Sequence, residues 1–185
     1  FVKSNPRPLP FMFEREAEAL RCLGEAGPLR VPRVIGVGGG EGSACPPFIV
    51  LEYVASGRPQ HNFFEEFGRG LALLHQRTRQ DRFGFDHDNY IGSTPQPNGW
   101  CNDWVTFWRE RRLGPQLERV RRNGLADAGF LRLGDVLMDR LDLLISQPDE
   151  PACLLHGDLW GGNYLCDAEG RAVLIDPAAY CGRRE

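Results

Sequence analysis

The stretch from residue 153 to residue 177 constrains this chain more than any other. It reads as a short apolar run, Cys153-Leu154-Leu155, then a polar loop, His156-Gly157-Asp158-Leu159-Trp160-Gly161-Gly162-Asn163. A hairpin follows: Tyr164-Leu165-Cys166, the turn Asp167-Ala168-Glu169-Gly170, and Ala172-Val173-Leu174-Ile175, ending at Asp176-Pro177. Asn163 stands five residues after Asp158, and Asp176 stands thirteen after Asn163. A hairpin brings its far end back to its start, so Asp176 is expected close to Asn163.

The residue types suit one chemistry. The H-x-D-x-x-x-x-N layout with an aspartate on the following hairpin is that of a protein-kinase catalytic loop. Phosphoryl transfer needs positioning and charge neutralisation more than covalent help from the protein. Magnesium is a hard cation that prefers carboxylate and amide oxygens, which suits Asn163 and Asp176. A carboxylate beside the attacking hydroxyl orients it and accepts its proton, which suits Asp158. His156 reads as a structural residue that holds the loop by hydrogen bonds. An isolated H-G-D triplet would be an ordinary polar turn; the joint spacing and the hairpin make the difference.

A second signal lies at the other end of the chain. Lysine and arginine total 22, and Lys3 is the only lysine. A compact ammonium and a planar guanidinium do not exchange freely at phosphate sites. Lys3 follows an apolar Phe1-Val2 stub that reads as a strand end, and a helix is expected from Phe11 to about Ala26. In kinases a strand lysine holds the α- and β-phosphates and is fixed by a helix glutamate. Glu14, Glu16 and Glu18 are all candidates, and spacing does not choose among them.

The third signal is Phe48-Ile49-Val50-Leu51-Glu52-Tyr53-Val54, a β-type run ending like a kinase hinge. Glu52, Tyr53 and Val54 would offer backbone groups to adenine. Gly38-Gly39-Gly40 is not a phosphate loop: it follows the helix, has no G-x-x-x-x-G-K-[ST] pattern, and fits a hairpin turn.

Along the chain, Val31–Val37 and Pro47–Val54 read as strands and Asn62–Arg77 as a long core helix. Residues 80–99 read as a long polar loop, Asp103–Arg122 as a helix rich in arginine and aromatics, and Phe130–Ile145 as one amphipathic helix. The expected class is α+β: a protein-kinase-like two-lobed fold. Residues 1–56 would form part of the nucleotide-binding lobe with the hinge, and 57–185 a helical lobe carrying the catalytic and magnesium loops. The chain opens without methionine inside a strand and stops without a terminating element, so truncation at both ends is expected.

Composition excludes more than it assigns. Hydrophobic residues at 42% and charged residues at 25% are ordinary for a globular protein. A net charge of -3 offers no basis for a nucleic-acid or membrane-surface partner. No apolar run approaches the roughly 18 residues of a span, and the N-terminus has no secretory pattern. A cytoplasmic protein is expected. The six cysteines lack a C-x-x-C pair and read as reduced structural thiols, without zinc spacing.

Several stretches together resemble the fructosamine (ketosamine) kinase family, within the aminoglycoside-phosphotransferase-like kinases. They are Leu155–Asn163 with Ile175-Asp176-Pro177-Ala178-Ala179-Tyr180 and the trailing Gly182 and Glu185; Asn102–Leu113; Asn89-Tyr90-Ile91-Gly92; Phe1-Val2-Lys3; and Phe13-Glu14-Arg15-Glu16. The resemblance runs the whole length and favours Glu16 as the partner of Lys3. It implies ATP- and magnesium-dependent phosphorylation of O3 of a ketosamine sugar, free or on a glycated protein or amine. The unstable product then decomposes and releases the amine, which is deglycation. Carried over, Lys3 binds ATP phosphates, Asp158 is the catalytic aspartate, and Asn163 and Asp176 bind magnesium. Trp160 and, in the aromatic helix, Trp104 are candidates for the substrate side.

Two alternatives stay open at this level. One is a kinase for another small alcohol, aminoglycoside- or choline-like, although the 103–113 region is arginine- and tryptophan-rich rather than acidic. The other is an inactive nucleotide-binding or scaffold fragment, against which the intact Asp158, Asn163 and Asp176 argue.

Overall fold

The computed structural model describes residues 1–7, 9–40, 42–145 and 150–184. Pro8, Glu41 and Glu185, which fall in the expected loop, turn and trailing motif, lie outside the described residues.

Strands β1 (Val2–Ser4), β2 (Val34–Gly38) and β3 (Phe48–Leu51) form an antiparallel sheet in the order β1-β3-β2. Lys3 pairs with Ile49 across β1 and β3. Helix α1 (Met12–Ala26) lies against this sheet. Its buried Phe13, Ala17 and Leu20 recur at helical spacing and pack with Ile49 and Leu51. Glu16 lies on that same buried stripe, at 8% exposure, whereas Glu14 is exposed. Gly27-Pro28 ends the helix. The β-type run expected to reach Val54 stops at Leu51, where the chain leaves the sheet.

Helix α2 (Phe63–Arg77) buries Phe63, Phe67 and Leu74 along one face. Thr78 closes it by donating Oγ1–H to the Leu74 carbonyl at 2.8 Å, and the same oxygen accepts from Leu154 N at 2.9 Å. Residues 80–99 are not a structureless loop. They contain a two-stranded hairpin, β4 (Asn89–Ile91) with β5 (Thr94–Gln96), whose turn carries Gly92 at φ 57°. A proline inside three-residue strands hides such a hairpin from period-2 reading.

The expected 103–122 helix is three consecutive pieces: α3 (Trp104–Phe107), a π-helical stretch (Trp108–Leu113) and α4 (Gly114–Arg122). Asp103 caps it by accepting from Thr106 N at 2.6 Å. The 130–145 helix is likewise two, α5 (Ala128–Asp139), capped by Asp127, and α6 (Leu141–Ile145), separated at Arg140. Arg140 donates its backbone N–H to Leu137 rather than four residues back, which tightens the turn and lets the chain change direction.

Strand β6 (Cys153–Leu155) pairs with an unanticipated β9 (Tyr180–Gly182), while β7 (Tyr164–Cys166) pairs with β8 (Ala172–Leu174) as the hairpin reading required. Asp167, 1% exposed, ties down the β7–β8 turn. Its carboxylate accepts from the backbone N–H groups of Glu169 and Arg171 and from the guanidinium groups of Arg171 and Arg30. Burial alone would raise its pKa, but these donors overcome that and hold it well below the carboxylate range. Arg30 also bonds Glu52, so one guanidinium joins the end of β3 to the hairpin turn. The central core gathers Leu23, Leu74, Phe83, Trp104, Phe107 and Tyr180 between α1, α2 and the β6–β9 pair.

All six cysteines are free. Burial pushes the Cys153 thiol up to about 11 and the Cys181 thiol up to about 12, so both are inert protonated core groups. Among the described residues no helix is long and apolar enough to cross a membrane.

Candidate active site

The loop after β6 is built around His156, which is 3% exposed. Its Nδ1 accepts the Asp158 backbone N–H at 3.3 Å, and its Nε2 donates to the Ile175 carbonyl at 2.8 Å. The His156 carbonyl accepts from Ala178 N at 2.9 Å. The ring thus clamps the loop to the segment around Asp176. Burial lowers its pKa below the usual histidine value, and the neutral Nε2–H tautomer satisfies both contacts. Gly157 sits at φ 83°, and a Cβ there would lie 1.9 Å from the Ala178 oxygen. No other residue permits this approach of the loop to the segment after Asp176.

Asn163 is held on both sides. Its N–H donates to the Trp160 carbonyl at 2.9 Å, and its carbonyl accepts from Ile175 N at 3.1 Å. Its Nδ2 donates to Asp158 O at 2.8 Å and to Asp158 Oδ2 at 2.9 Å. The amide is therefore oriented: nitrogen toward Asp158, and Oδ1 without a protein donor among the described residues. Asp176 follows β8 in the left-handed region, φ 52°, which an aspartate tolerates better than most residues. The turn directs its half-exposed carboxylate to Lys3, with Oδ1 2.9 Å from Nζ.

Lys3 completes the arrangement. Its Nζ lies 2.9 Å from Glu16 Oε2, 3.1 Å from Glu16 Oε1 and 2.9 Å from Asp176 Oδ1. Burial alone would depress the Lys3 pKa, but the two carboxylates outweigh it and raise it above the ordinary value. Glu16 is pushed up by burial, and Lys3 offsets part of that. Of the three candidate glutamates, Glu16 is the one that reaches Lys3; Glu18 meets His87 instead, at 2.6 Å.

These groups line one cleft of about 240 Å³, which Lys3, Glu16, Asp158, Asn163, Asp176 and Trp160 share with Arg15, Asn89 and Tyr90, residues inside the resembling stretches that were given no role in the sequence reading. Asn89 and Tyr90 come from the hairpin that reads as loop, and Arg15 from α1 beside Glu16; besides the resemblance, the local signal for the hairpin was the Gly92 turn after Asn89. Trp160 is 63% exposed at the cleft. Trp104 is a correction. It is 5% exposed in the core, stacked on Phe107 at 5.6 Å and edge-on to Trp108 at 5.9 Å, away from the cleft. Placed one helical turn before Phe107, it faces inward with it. Glu52, Tyr53 and Val54 do not line this cleft either. The Glu52 carboxylate accepts from Arg33 N at 3.1 Å and from Arg30, which lower its pKa in that order; Tyr53 is 74% exposed and Val54 is buried.

Among the described residues no three His, Cys, Asp or Glu side chains converge as a metal-ligand cluster. The oxygens available are the Asn163 amide oxygen and the carboxylates of Asp176 and Asp158. That set of few, hard donors fits magnesium, which keeps waters and phosphate oxygens in its shell.

An ion-paired strand lysine and helix glutamate facing a catalytic-type loop and a hairpin aspartate define the protein-kinase-like class. The profile of the fructosamine kinase family matches residues 1–185. The chain belongs to the fructosamine kinase family. It is 42% identical over 188 residues to a probable ketoamine kinase of Vibrio parahaemolyticus, covering all of this chain and 62% of that protein. It is 39% identical to the chloroplastic protein-ribulosamine 3-kinase of Arabidopsis thaliana, covering 56% of that protein. Among solved structures, a candidate fructosamine-3-kinase of Haemophilus somnus 129PT superposes with a TM-score of 0.86 at 31% identity. One of Thermobifida fusca gives 0.84 at 36%. All of this chain is covered in both, with 60% and 62% of those chains. The chain thus spans less than two thirds of the relatives it matches.

Proposed function

We propose that this chain carries the catalytic and magnesium-binding part of an ATP-dependent kinase that phosphorylates O3 of a ketosamine such as fructosamine or ribulosamine. The product then loses its amine, so the whole enzyme acts in deglycation. The observation that carries this reading is the single ammonium of Lys3 held between Glu16 and Asp176, with Asp158 and Asn163 on the same cleft.

In this reading Lys3, fixed by Glu16, holds the nucleotide phosphates. Asn163 and Asp176 hold magnesium, which when bound neutralises phosphate charge as the phosphoryl group transfers. Asp158 orients the sugar hydroxyl and accepts its proton. The bond from Asn163 Nδ2 keeps the Asp158 carboxylate at a fixed angle and leaves the amide oxygen free for the cation. Trp160 offers an exposed apolar face at the acceptor side. Residues 1–56 and 57–185 act as the two lobes, with backbone groups of Glu52, Tyr53 and Val54 receiving adenine. A cytoplasmic setting belongs to the same reading, supported by six unpaired thiols.

The test is ATP consumption by the whole gene product with ribulosamine, fructosamine and an aminoglycoside in parallel. Turnover confined to the ketosamines is expected. Turnover with the aminoglycoside alone, or with none of the three, overturns the reading.

A further inference from the structure

Glu16 rides on α1, and Asp176 sits at the end of β8. The Lys3 bridge between them forms only if those two elements keep a fixed separation. The segment from His87 to Asn98 touches both. Toward α1, His87 Nε2 lies 2.6 Å from Glu18 Oε2, and Tyr90 donates its hydroxyl proton to the Pro10 carbonyl at 3.0 Å. Toward Asp176, Gln96 Nε2 donates to Ala178 O at 3.0 Å and Asn89 Nδ2 donates to Ala179 O at 2.8 Å.

The Asp176 side of this segment is rigid. Gln96 Nε2 and Asn98 Nδ2 both donate to Asn89 Oδ1, at 2.7 and 3.0 Å, and the three amides are 4%, 0% and 4% exposed for Asn89, Asn98 and Gln96. Buried amides with every partner specified admit one arrangement. Among the described residues, the side-chain pair that joins this segment to α1 is His87 with Glu18. The His87 ring is fixed edge-on against Phe85 at 5.1 Å and is 12% exposed, while Glu18 is 42% exposed with Arg15 3.6 Å away. Glu16 and Glu18 leave α1 in different directions, one to the sheet lysine and one to this segment.

We propose that His87 is a positioning residue: by holding Glu18 it sets α1, and with it Glu16 and Lys3, at the distance from Asp176 that phosphoryl transfer requires. This rests on the kinase reading above for its catalytic consequence, but not for its geometry. The effect is indirect, since neither His87 nor Glu18 lines the cleft.

The experiment compares His87→Phe, His87→Gln, Glu18→Ala and the double variant His87→Phe with Glu18→Ala in the whole gene product. Hydrogen exchange of α1 amides and steady-state kinetics with a ketosamine are the two readouts. For His87→Phe, exchange over residues 12–17 should rise about tenfold. kcat should fall about tenfold with the ketosamine KM within about twofold, since misplacement costs rate before binding. His87→Gln keeps a donor toward Glu18 and should recover most of both. The double variant should be no worse than His87→Phe, because both remove one contact. Should His87→Phe not fold, Glu18→Ala, which removes the acceptor on a half-exposed side chain, carries the same expectation. Unchanged α1 exchange, additive losses, or faster exchange with unchanged kcat would each overturn the proposal. A wild-type protein inactive on every ketosamine would overturn the kinase reading instead, leaving the exchange result to decide the role of His87.

Discussion

Lys3 and Asp176 stand 173 residues apart in the chain, and their side chains meet at 2.9 Å. The same ammonium reaches Glu16 on the helix packed against its sheet, so three elements converge on one charge. A half-buried lysine with one carboxylate would be an ordinary ion pair. With two it is a cation whose surroundings hold more negative charge than it neutralises, an excess that suits a divalent cation at Asp176.

Replacing Lys3 tests that convergence. Lys3→Met should lower kcat/KM for ATP by about 10²- to 10³-fold, the range for removing one preorganised charge-stabilising donor. Lys3→Arg should not restore it, because a planar fork cannot take the place of a point ammonium between Glu16 and Asp176. Steady-state kinetics with varied MgATP decide the matter; full activity in the arginine variant would count against a phosphate role.

Asp158→Asn should lower the turnover rate by about 10²- to 10⁴-fold, as expected for losing a general base. MgATP binding should survive, because the Lys3 contacts are untouched. Calorimetric titration beside single-turnover rates separates the two effects, and a parallel loss of affinity would contradict the assignment.

Asp176→Ala should abolish magnesium-dependent ATP binding while leaving the Lys3–Glu16 pair in place. Nucleotide titrations with and without magnesium are the measurement. An ATP affinity that still responds to magnesium as in the parent protein removes Asp176 from the ligand set.

His156 predicts a pH dependence of stability. Its Nδ1 must stay bare to accept the Asp158 N–H, and burial lowers its pKa in the folded protein. In the unfolded chain the ring takes its proton near about 6.5. Between the lower folded value and that pH the unfolded state binds more protons, so stability falls as the pH drops. Its full contribution is present above about pH 6.5. Urea midpoints at about pH 7.5 and about pH 5.5 should show a larger drop for the parent than for His156→Gln. Equal slopes would show that the ring does not titrate differently on folding.

Gly157→Ala should destabilise the protein by about 1–3 kcal/mol through backbone strain at positive φ, and more if the clash with the Ala178 carbonyl cannot relax. Thermal unfolding of the variant reads this directly. An unchanged midpoint would mean that the loop and the Ala178 carbonyl do not approach as described.

The legible parts share a feature: their physics is local. Asp158, Asn163 and Asp176 could be brought together on paper because β7 and β8 are consecutive and a short hairpin fixes the return of its end. α1 and α2 were visible because their apolar stripes repeat with the helical period, and Gly27-Pro28 stops the first. Of the acids on α1, the family resemblance favoured Glu16, but the exposed Glu14 and the His87-bound Glu18 were separated from it only by what each faces.

What the amino-acid order determined by itself was the set of reactive groups and the short hairpin that gathers three of them. Tertiary structure decided the rest. Trp104 went to the core because Phe83 and Phe107 supply its neighbours, and β4 and β5 became a hairpin because buried amides bond it to the backbone after Asp176. β9 exists because β6 offers it an edge. Each depends on a partner distant in the chain, and neither periodicity nor spacing carries information about groups that meet only after the chain has closed on itself.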